Sequence, residues 1–287
     1  MTGRKLSTLT LFARHGVEKY RNALSQLDSF YLKNIPGVSR TLIIVDSIEN
    51  ESFAKELSKG LTLIGSDNEC WEFSSWDSAV KFVEPRLMRY DYVHLVTSAF
   101  GELYTKYIDL IDERMLLSLQ GRPVALGHID AYNTPIRLLG RISQSWIRSS
   151  FVFVPPTVLR LLGSLVSFRN PSLFFTGDAK RPFLPDAPLC IEYRANILNW
   201  LTGPGTGQGT EWHSRFDLTD ETISLFEAKA LAILNEHALS IRLRALGATT
   251  VDVTWFANCL RQQGQGRLTA MRLPHWREQL EARKPFI

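Results

Sequence analysis

Short apolar, β-rich runs alternate with helix-like segments through the first half of this chain, and that alternation constrains the fold more than any other feature. The runs are Leu6–Phe12, Thr41–Val45, Leu61–Ile64, Tyr92–Val96, Pro123–Leu126 and Phe151–Val154. Helix-like segments lie between several of them, at Val17–Tyr31, Ser52–Ser58, Ser75–Met88 and Leu103–Leu119. Parallel strands cannot be joined by a tight turn and need a crossover, which is usually a helix. The pattern therefore predicts an α/β chain with a mostly parallel central sheet flanked by helices. At 287 residues, the chain suffices for one large domain of this kind or two small ones.

Polar residues follow the runs. Arg14 and His15 follow the first, and Asp46 and Ser47 the second. Ser66, Asp67 and Asn68 follow the third, Thr97 and Ser98 the fourth, and His128 and Asp130 the fifth. Any one of these is explained as a turn former or helix cap. Taken together they mark a binding crevice, because open parallel sheets bind ligands outside the carboxyl ends of their strands.

A second feature lies at Leu234–Gly247, which reads as a helix apolar on two sides. At about 100° per residue, Leu234, Ala238, Ile241 and Ala245 share one stripe, and Leu239, Leu243 and Leu246 form a second arc. Glu236 lies beside that arc, next to Ser240. A helix of this kind is sandwiched, so a carboxylate on it needs either an ion-pair partner such as Arg242 or Arg244, or a chemical task.

Composition narrows the classes. The net charge is +4 at pH 7, and no dense Lys/Arg stripe interleaved with aromatics is present, which argues against nucleic acid as a partner. An anionic small ligand or an anionic membrane surface suits the mild excess. The three cysteines, Cys70, Cys190 and Cys259, have no paired spacing, which argues against zinc and disulfides and fits a reducing, cytoplasmic setting. Neither a signal peptide nor a run of about 18 apolar residues is visible. Phe151–Phe175, the most apolar region, is interrupted by Pro155, Pro156, Arg160, Arg169 and Asn170.

Four segments, in order, carry a resemblance. They are Thr41–Asp46, a strand ending in aspartate; Ser66–Trp76, an Asn-containing turn with Glu72 before a helix; Tyr90–Ala99, a strand ending in Thr97-Ser98-Ala99; and the helix with Glu236, Leu239, Arg242, Leu243 and Gly247. The chain thereby resembles nucleotide-sugar-dependent glycosyltransferases of the GT-A fold, especially bacterial enzymes that build cell-surface polysaccharides. The resemblance covers most of residues 6–250 and implies a single GT-A-like (Rossmann-like) domain over 1–287. Residues 1–120 would be its nucleotide-sugar-binding half, 121–260 its acceptor and catalytic half, and 261–287 a basic amphipathic tail.

The resemblance also implies roles. Asp46 and Asn68 would hold the nucleotide base and ribose, with Glu72 assisting or simply favouring its helix dipole. Trp71 or Trp76 would cover a sugar or base, or fill the core. Glu236 would be the catalytic base, with His237 as the alternative because it stands where a second acid is common. His128 and Asp130 would bind donor sugar or acceptor, and Gln144 and Trp146 would shape the acceptor side. Where the family usually carries Asp-x-Asp, this chain reads Thr97-Ser98-Ala99. Hydroxyls are poor ligands for Mg²⁺ or Mn²⁺, so metal-independent chemistry is expected, the alternative being metal held by carboxylates from elsewhere. Arg14, Arg141, Arg148 and Arg242 are then candidates for the leaving diphosphate, and Thr97 and Ser98 could cradle phosphate with their backbone N–H groups at a helix start.

The Gly-rich stretch Thr202–Gly209, followed by Trp212 and His213, suggests a lid over substrate or an uninvolved surface connection. Arg267–Ile287 sets Arg272, Arg277, Arg283 and Lys284 beside Leu273, Trp276, Leu280 and Phe286. It could lie on an anionic membrane near a lipid-linked acceptor, or pack on the domain. Two alternatives stand beside the transferase reading. One is a catalytically inactive transferase-like module that binds nucleotide sugar or glycan. The other is a Rossmann-like enzyme such as a methyltransferase, disfavoured because Ala13-Arg14-His15-Gly16 supplies no Gly-rich cofactor loop after the first strand.

Overall fold

The computed structural model describes residues 5–102, 105–203, 215–262 and 272–283. Its chain order is β1 (Ser7–Arg14), α1 (Ala23–Asn34), β2 (Ser39–Asp46), β3 (Ala54–Ser58), β4 (Leu61–Gly65), α2 (Glu72–Val83), β5 (Tyr92–Thr97), α3 (Glu113–Leu119), β6 (Val124–Gly127), β7 (Ile129–Leu138), β8 (Arg141–Ile147), β9 (Phe151–Val154), α4 (Pro156–Leu162), α5 (Ile191–Thr202), α6 (Ile223–Ala245), β10 (Thr249–Asp252), α7 (Val253–Gln262) and α8 (Trp276–Ala282). Eight strands form one sheet in the order β10-β6-β9-β5-β1-β2-β4-β3. β1 is parallel to β2 and β5, β2 to β4, and β6 to β10, whereas β9 and β3 run antiparallel to their neighbours. The α/β class and the mostly parallel sheet flanked by helices are thus observed, and the arrangement is compatible with a Rossmann-like fold.

The central strands read as continuous apolar runs because both faces are covered. β1 is buried from Thr8 to Ala13, and β5 from Tyr92 to Val96. Buried hydroxyls and an imidazole interrupt that core in one place. Tyr31 of α1 bonds Thr8 and Thr10 at 3.0 and 2.7 Å, and its hydroxyl meets His94 Nδ1 at 3.1 Å. His94 is fully buried and stacks on Phe153 at 3.9 Å. Burial holds its imidazole well below the usual histidine range, and the positive charge of Arg40 adds to the effect.

Several segments differ from expectation. Ser52–Ser58 is not a helix: Ala54–Ser58 is an exposed edge strand pairing antiparallel with β4. Its charged Lys55 and Glu56, and a bulge between Glu56 and Ser58, are devices that protect an edge. The first helix begins at Ala23 rather than Val17. The second stops at Val83 and continues as a 3-10 turn at Glu84–Arg89, where Pro85 removes a helix donor. Of Leu103–Leu119, the described part forms a short 3-10 turn at Ile108–Leu110 and then α3, whose Asp112 cap accepts from the Met115 N–H at 2.7 Å. The hairpin β7–β8 had no signature in the sequence. Its turn, Leu139-Gly140, has both residues at positive φ, 50° and 73°, yet lacks the usual Asn-Gly or Asp-Gly pair.

The chain divides into two compact units that interleave along the sequence. The first comprises residues 1–129, 147–165 and 242–287, and the second 130–146 and 166–241. The first contains the eight-stranded sheet and a core running from Leu6 and Phe12 to Phe256 and Leu260. The second contains most of the hairpin, α5 and most of α6 around Tyr132, Phe174, Tyr193, Phe226 and Leu234.

Within the first unit, carboxylates fix the points at which the chain leaves. Asp252 accepts from the Ile129 N–H at 3.0 Å and from Trp255 N–H at 2.9 Å. Asp77 accepts from the Leu165 N–H at 2.6 Å and from the Ser164 hydroxyl. Arg242 donates to the Leu162 carbonyl at 2.8 Å, near Asp77. The tail helix α8 belongs to this unit as well. Buried Gln279 bridges the Thr250 carbonyl at 3.0 Å and the Asp252 N–H at 2.8 Å, and Arg283 reaches Asp252 at 3.0 Å. The packed alternative therefore holds for α8. Among the described residues, no helix is long and apolar enough to cross a membrane.

Candidate functional site

Two clusters of the expected residues form, one in each unit. In the first unit, strand order reverses at β1: the chain winds outward through β2 and β4, then returns to place β5 on the other side of β1. Register brings the carboxyl ends level, with Arg14 opposite Asp46, Ala13 opposite Thr97, and Asp46 opposite Gly65. Such a reversal opens a crevice at the strand ends.

Asp46 organises this end. It is buried, and its Oδ2 accepts from Arg14 Nε at 2.7 Å. Its Oδ1 accepts from the Gly16 N–H at 2.8 Å and the Ile48 N–H at 3.3 Å. Gly16 turns its N–H inward at φ 66°, a left-handed conformation that suits glycine. Both Asp46 oxygens are thus engaged within the protein, which places Asp46 behind Arg14 rather than against a nucleotide base. A buried carboxylate with three donors is satisfied, and it fixes the arginine by a charge-assisted bond. Among the described residues, the two terminal nitrogens of Arg14 have no hydrogen-bond or ion-pair partner. His15 Nδ1 and Ser47 Oγ lie 2.9 Å apart beside this pair.

The expectation that backbone N–H groups of Thr97 and Ser98 cradle phosphate is not met. Thr97 N–H donates to the Ser150 carbonyl at 3.1 Å, Ser98 N–H to the Ala13 carbonyl at 2.8 Å, and a turn rather than a helix follows them. The sheet ladder continues one residue further than the apolar run suggests. Their half-buried hydroxyls remain at the same strand end.

Other expected donor residues follow the carboxyl end of β4. Asn68 is exposed in the turn before α2, and Glu72 is half-buried in the first turn of that helix. Trp76 is core, its indole N–H donating to the Leu11 carbonyl at 3.1 Å, whereas half-buried Trp71 sits at φ 54°.

The second cluster lies within the second unit. Asp130 and Tyr132 share one face of β7, and Gln144 and Trp146 one face of β8, by strand alternation. Gln144 ties the two strands, donating to the Tyr132 and Asn133 carbonyls at 2.9 and 3.1 Å. His237 of α6 meets this hairpin. Its ring lies 4.2 Å from Trp146 and 5.6 Å from Tyr132, and it is stacked on Tyr193 of α5 at 5.4 Å. The Tyr193 hydroxyl is hydrogen-bonded to His237 Nδ1. Burial pushes the His237 imidazole down to about 3, against a smaller upward pull from the Asp130 charge. His237 is therefore neutral at physiological pH.

The sequence placed Glu236 in a buried apolar sandwich, and this is corrected. Glu236 is half-buried, and the fully buried polar side chains of α6 are Asn235, His237 and Ser240. Leu234, Ala238, Leu239 and Leu243 are buried as expected, but Ala245 and Leu246 are exposed. The Glu236 charge acts on the neighbouring phenols. Burial chiefly, with Glu236 and Asp130 adding, raises the Tyr132 hydroxyl far above the usual tyrosine range. Tyr193 is raised in the same way, by burial first, then Tyr132 and Glu236. Asp130, Trp146, Glu236 and His237, all singled out in the sequence, thus converge, joined by Tyr132 and Tyr193, which were not.

His128 lies just after β6 in the first unit, stacked on Tyr107 at 5.0 Å with Asp252 Oδ2 3.9 Å from its Nδ1. Arg148 donates its backbone N–H to the His128 carbonyl at 2.9 Å. Arg141 is exposed on β8, and Arg242 is engaged with Leu162. Trp212, His213 and residues 204–209 of the Gly-rich stretch lie outside the described residues. Among the described residues, no group of three or more His, Cys, Asp or Glu side chains is placed to hold a metal ion. A comparison with models of known protein families finds no match, and a search of curated proteins finds none either.

Proposed function

We propose that the chain is a GT-A-like glycosyltransferase that moves a sugar from a nucleotide-diphosphosugar to a glycan or lipid-linked acceptor of a cell-surface polysaccharide, at the cytoplasmic side of the membrane. One observation carries this reading. At the point where strand order reverses, Arg14 is fixed through Nε by buried Asp46, while its two terminal nitrogens have no partner among the described residues. A guanidinium held in this way is preorganised to take two phosphate oxygens. The Thr97 and Ser98 hydroxyls at the next strand end add neutral donors.

In the proposed transfer, the acceptor oxygen bonds to the anomeric carbon while the bond from that carbon to the diphosphate oxygen breaks. The leaving diphosphate takes the electron pair, and Arg14 balances the charge that develops on it. Glu236 is the candidate base in the second unit. It is favoured over His237 because it retains exposure, whereas His237 is buried, neutral and committed to Tyr193. His237 and Tyr193 instead form the wall that positions the Glu236 segment of α6.

A second reading has one observation behind it: Thr97-Ser98-Ala99 stands where the resembled family carries its metal-binding acids. Under that reading the chain binds nucleotide sugar without turnover. Screening nucleotide sugars for release of nucleoside diphosphate, with and without chelator, separates the two. Release from at least one donor is expected. Nucleotide binding without release from any donor would establish the binding-module reading instead.

A further inference from the structure

We propose that the tip of the β7–β8 hairpin is a docking surface for an anionic lipid bilayer. The surface lies wholly in the second unit and is independent of the catalytic reading. Large exposed apolar side chains are scattered over the described residues, as is ordinary for a protein surface. Here they gather. An open groove of about 650 Å³ is lined by Pro135, Arg137, Gly140, Ile142, Pro188 and Cys190, among others. Ile142 on its wall is 69% exposed. Leu139, next to Gly140, is 52% exposed, and Ile191, next to Cys190, is 78% exposed.

The backbone makes the gathering rigid. Leu139 N–H donates to the Pro188 carbonyl at 2.9 Å, Cys190 N–H to the Arg137 carbonyl at 3.2 Å, and Arg137 N–H to the Cys190 thiol at 3.2 Å. The tip is thus strapped to the segment that begins α5. Leu139 stands at φ 50°, where a branched apolar residue is strained and glycine or asparagine would be at ease. A strained leucine whose side chain is half in solvent recovers little from packing. Presenting that side chain outward is what the position accomplishes.

Charge selects the occupant. Exposed Arg137 and Arg141 flank the apolar turn on either side, and exposed Glu192 lines the groove from the first turn of α5. Apolar tip residues with arginines one and two positions away match an interface in which leucine and isoleucine enter the acyl region and guanidinium groups stay among anionic headgroups. A second copy is the competing occupant, and a stable dimer needs about 800 Å² per partner. Alternation along β8 also puts Ile142, Gln144 and Trp146 on one strand face. The docking surface therefore leads, over about 14 Å of strand, to the cluster around His237.

The full chain should co-sediment with phosphatidylcholine vesicles containing phosphatidylglycerol. The exposed triple variant Leu139→Asn, Ile142→Thr, Ile191→Thr should lose binding about tenfold or more, with unchanged circular dichroism. Asparagine accepts the left-handed turn, so folding is retained. Arg137→Gln and Arg141→Gln should each weaken binding about fivefold on the anionic vesicles and leave pure phosphatidylcholine unaffected. Equal binding by wild type and triple variant would overturn the proposal. So would loss of binding in Arg272→Gln, Arg277→Gln while the hairpin variants bind normally, which would return the contact to the tail. Concentration-dependent self-association that the triple variant abolishes, without vesicle binding by wild type, would make the surface an interface between copies and equally overturn it.

Discussion

The strand-end cluster and the hairpin–helix cluster handle charge in opposite ways. At the strand ends, a buried carboxylate is used to fix a half-buried cation: Asp46 takes three donors, and the two terminal nitrogens of Arg14 have no partner among the described residues. In the second unit, a buried imidazole is kept uncharged by aromatic rings, and the carboxylate beside it, Glu236, retains exposure. The first arrangement suits holding an anion through a reaction. The second keeps a carboxylate half-buried beside a neutral aromatic wall. Under the proposed function, burial alone does not mark the working group. The most buried ionisable residue in each cluster positions a neighbour that solvent can reach.

The largest effect expected from this contrast is on turnover. Glu236→Gln should lower the rate of sugar transfer about a hundredfold to ten-thousandfold, the range for loss of a general base. An unchanged rate would place the base elsewhere and dissolve the distinction between the clusters.

Asp46→Ala should come next. Removing the carboxylate leaves Arg14 and two N–H groups without their acceptor, at a cost of about 3–5 kcal/mol in urea unfolding. A cost under about 1 kcal/mol would show that Asp46 is not the organising group of the strand ends.

Acid sharpens the comparison further. His94 and His237 are neutral when folded, each with its proton affinity depressed mainly by burial. The unfolded chain takes up a proton on each near pH 6.5, so it binds more protons than the folded chain below that value. Stability should therefore fall as pH drops below about 6.5, by about 1.4 kcal/mol per pH unit for each histidine. The contribution of His237 should continue down to about pH 3. Urea unfolding as a function of pH reads this directly, and His237→Asn should flatten the slope. A pH-independent stability in this range would contradict the neutral, buried state of both.

The smallest effect should come from Tyr193→Phe, which removes the hydroxyl bonded to His237 Nδ1. A stability loss of about 1–3 kcal/mol is expected, the cost of a buried polar group left unmet. Nucleotide affinity should be untouched, since Tyr193 belongs to the second cluster alone.

The two clusters were also unequally legible in the sequence. Arg14, Asp46, Thr97 and Ser98 follow apolar runs, and parallel register makes strand ends converge whatever lies between them. What the sequence did not convey there is how far the ladder runs, so the Thr97 and Ser98 N–H groups read as free donors although strand pairing consumes them. In the second cluster, Asp130, Trp146, Glu236 and His237 were singled out, but Tyr132 and Tyr193 were not. The reason is the hairpin. Its Leu139-Gly140 turn lacks the residue pair that signals such a turn, so the alternation placing Tyr132 beside Asp130 passed unseen. The Ser52–Ser58 edge strand was missed for a related reason: its residues are all exposed, and a charged edge carries no apolar period to read.

Titration calorimetry of a nucleoside diphosphate into wild type, Arg14→Ala and Glu236→Gln tests the central division most directly. Wild type and Glu236→Gln should bind with equal affinity, and Arg14→Ala should bind about tenfold to a hundredfold more weakly, as expected for loss of charge-assisted bonds to phosphate. Equal affinity in all three proteins, or a loss confined to Glu236→Gln, would contradict the assignment of the anion to the strand ends.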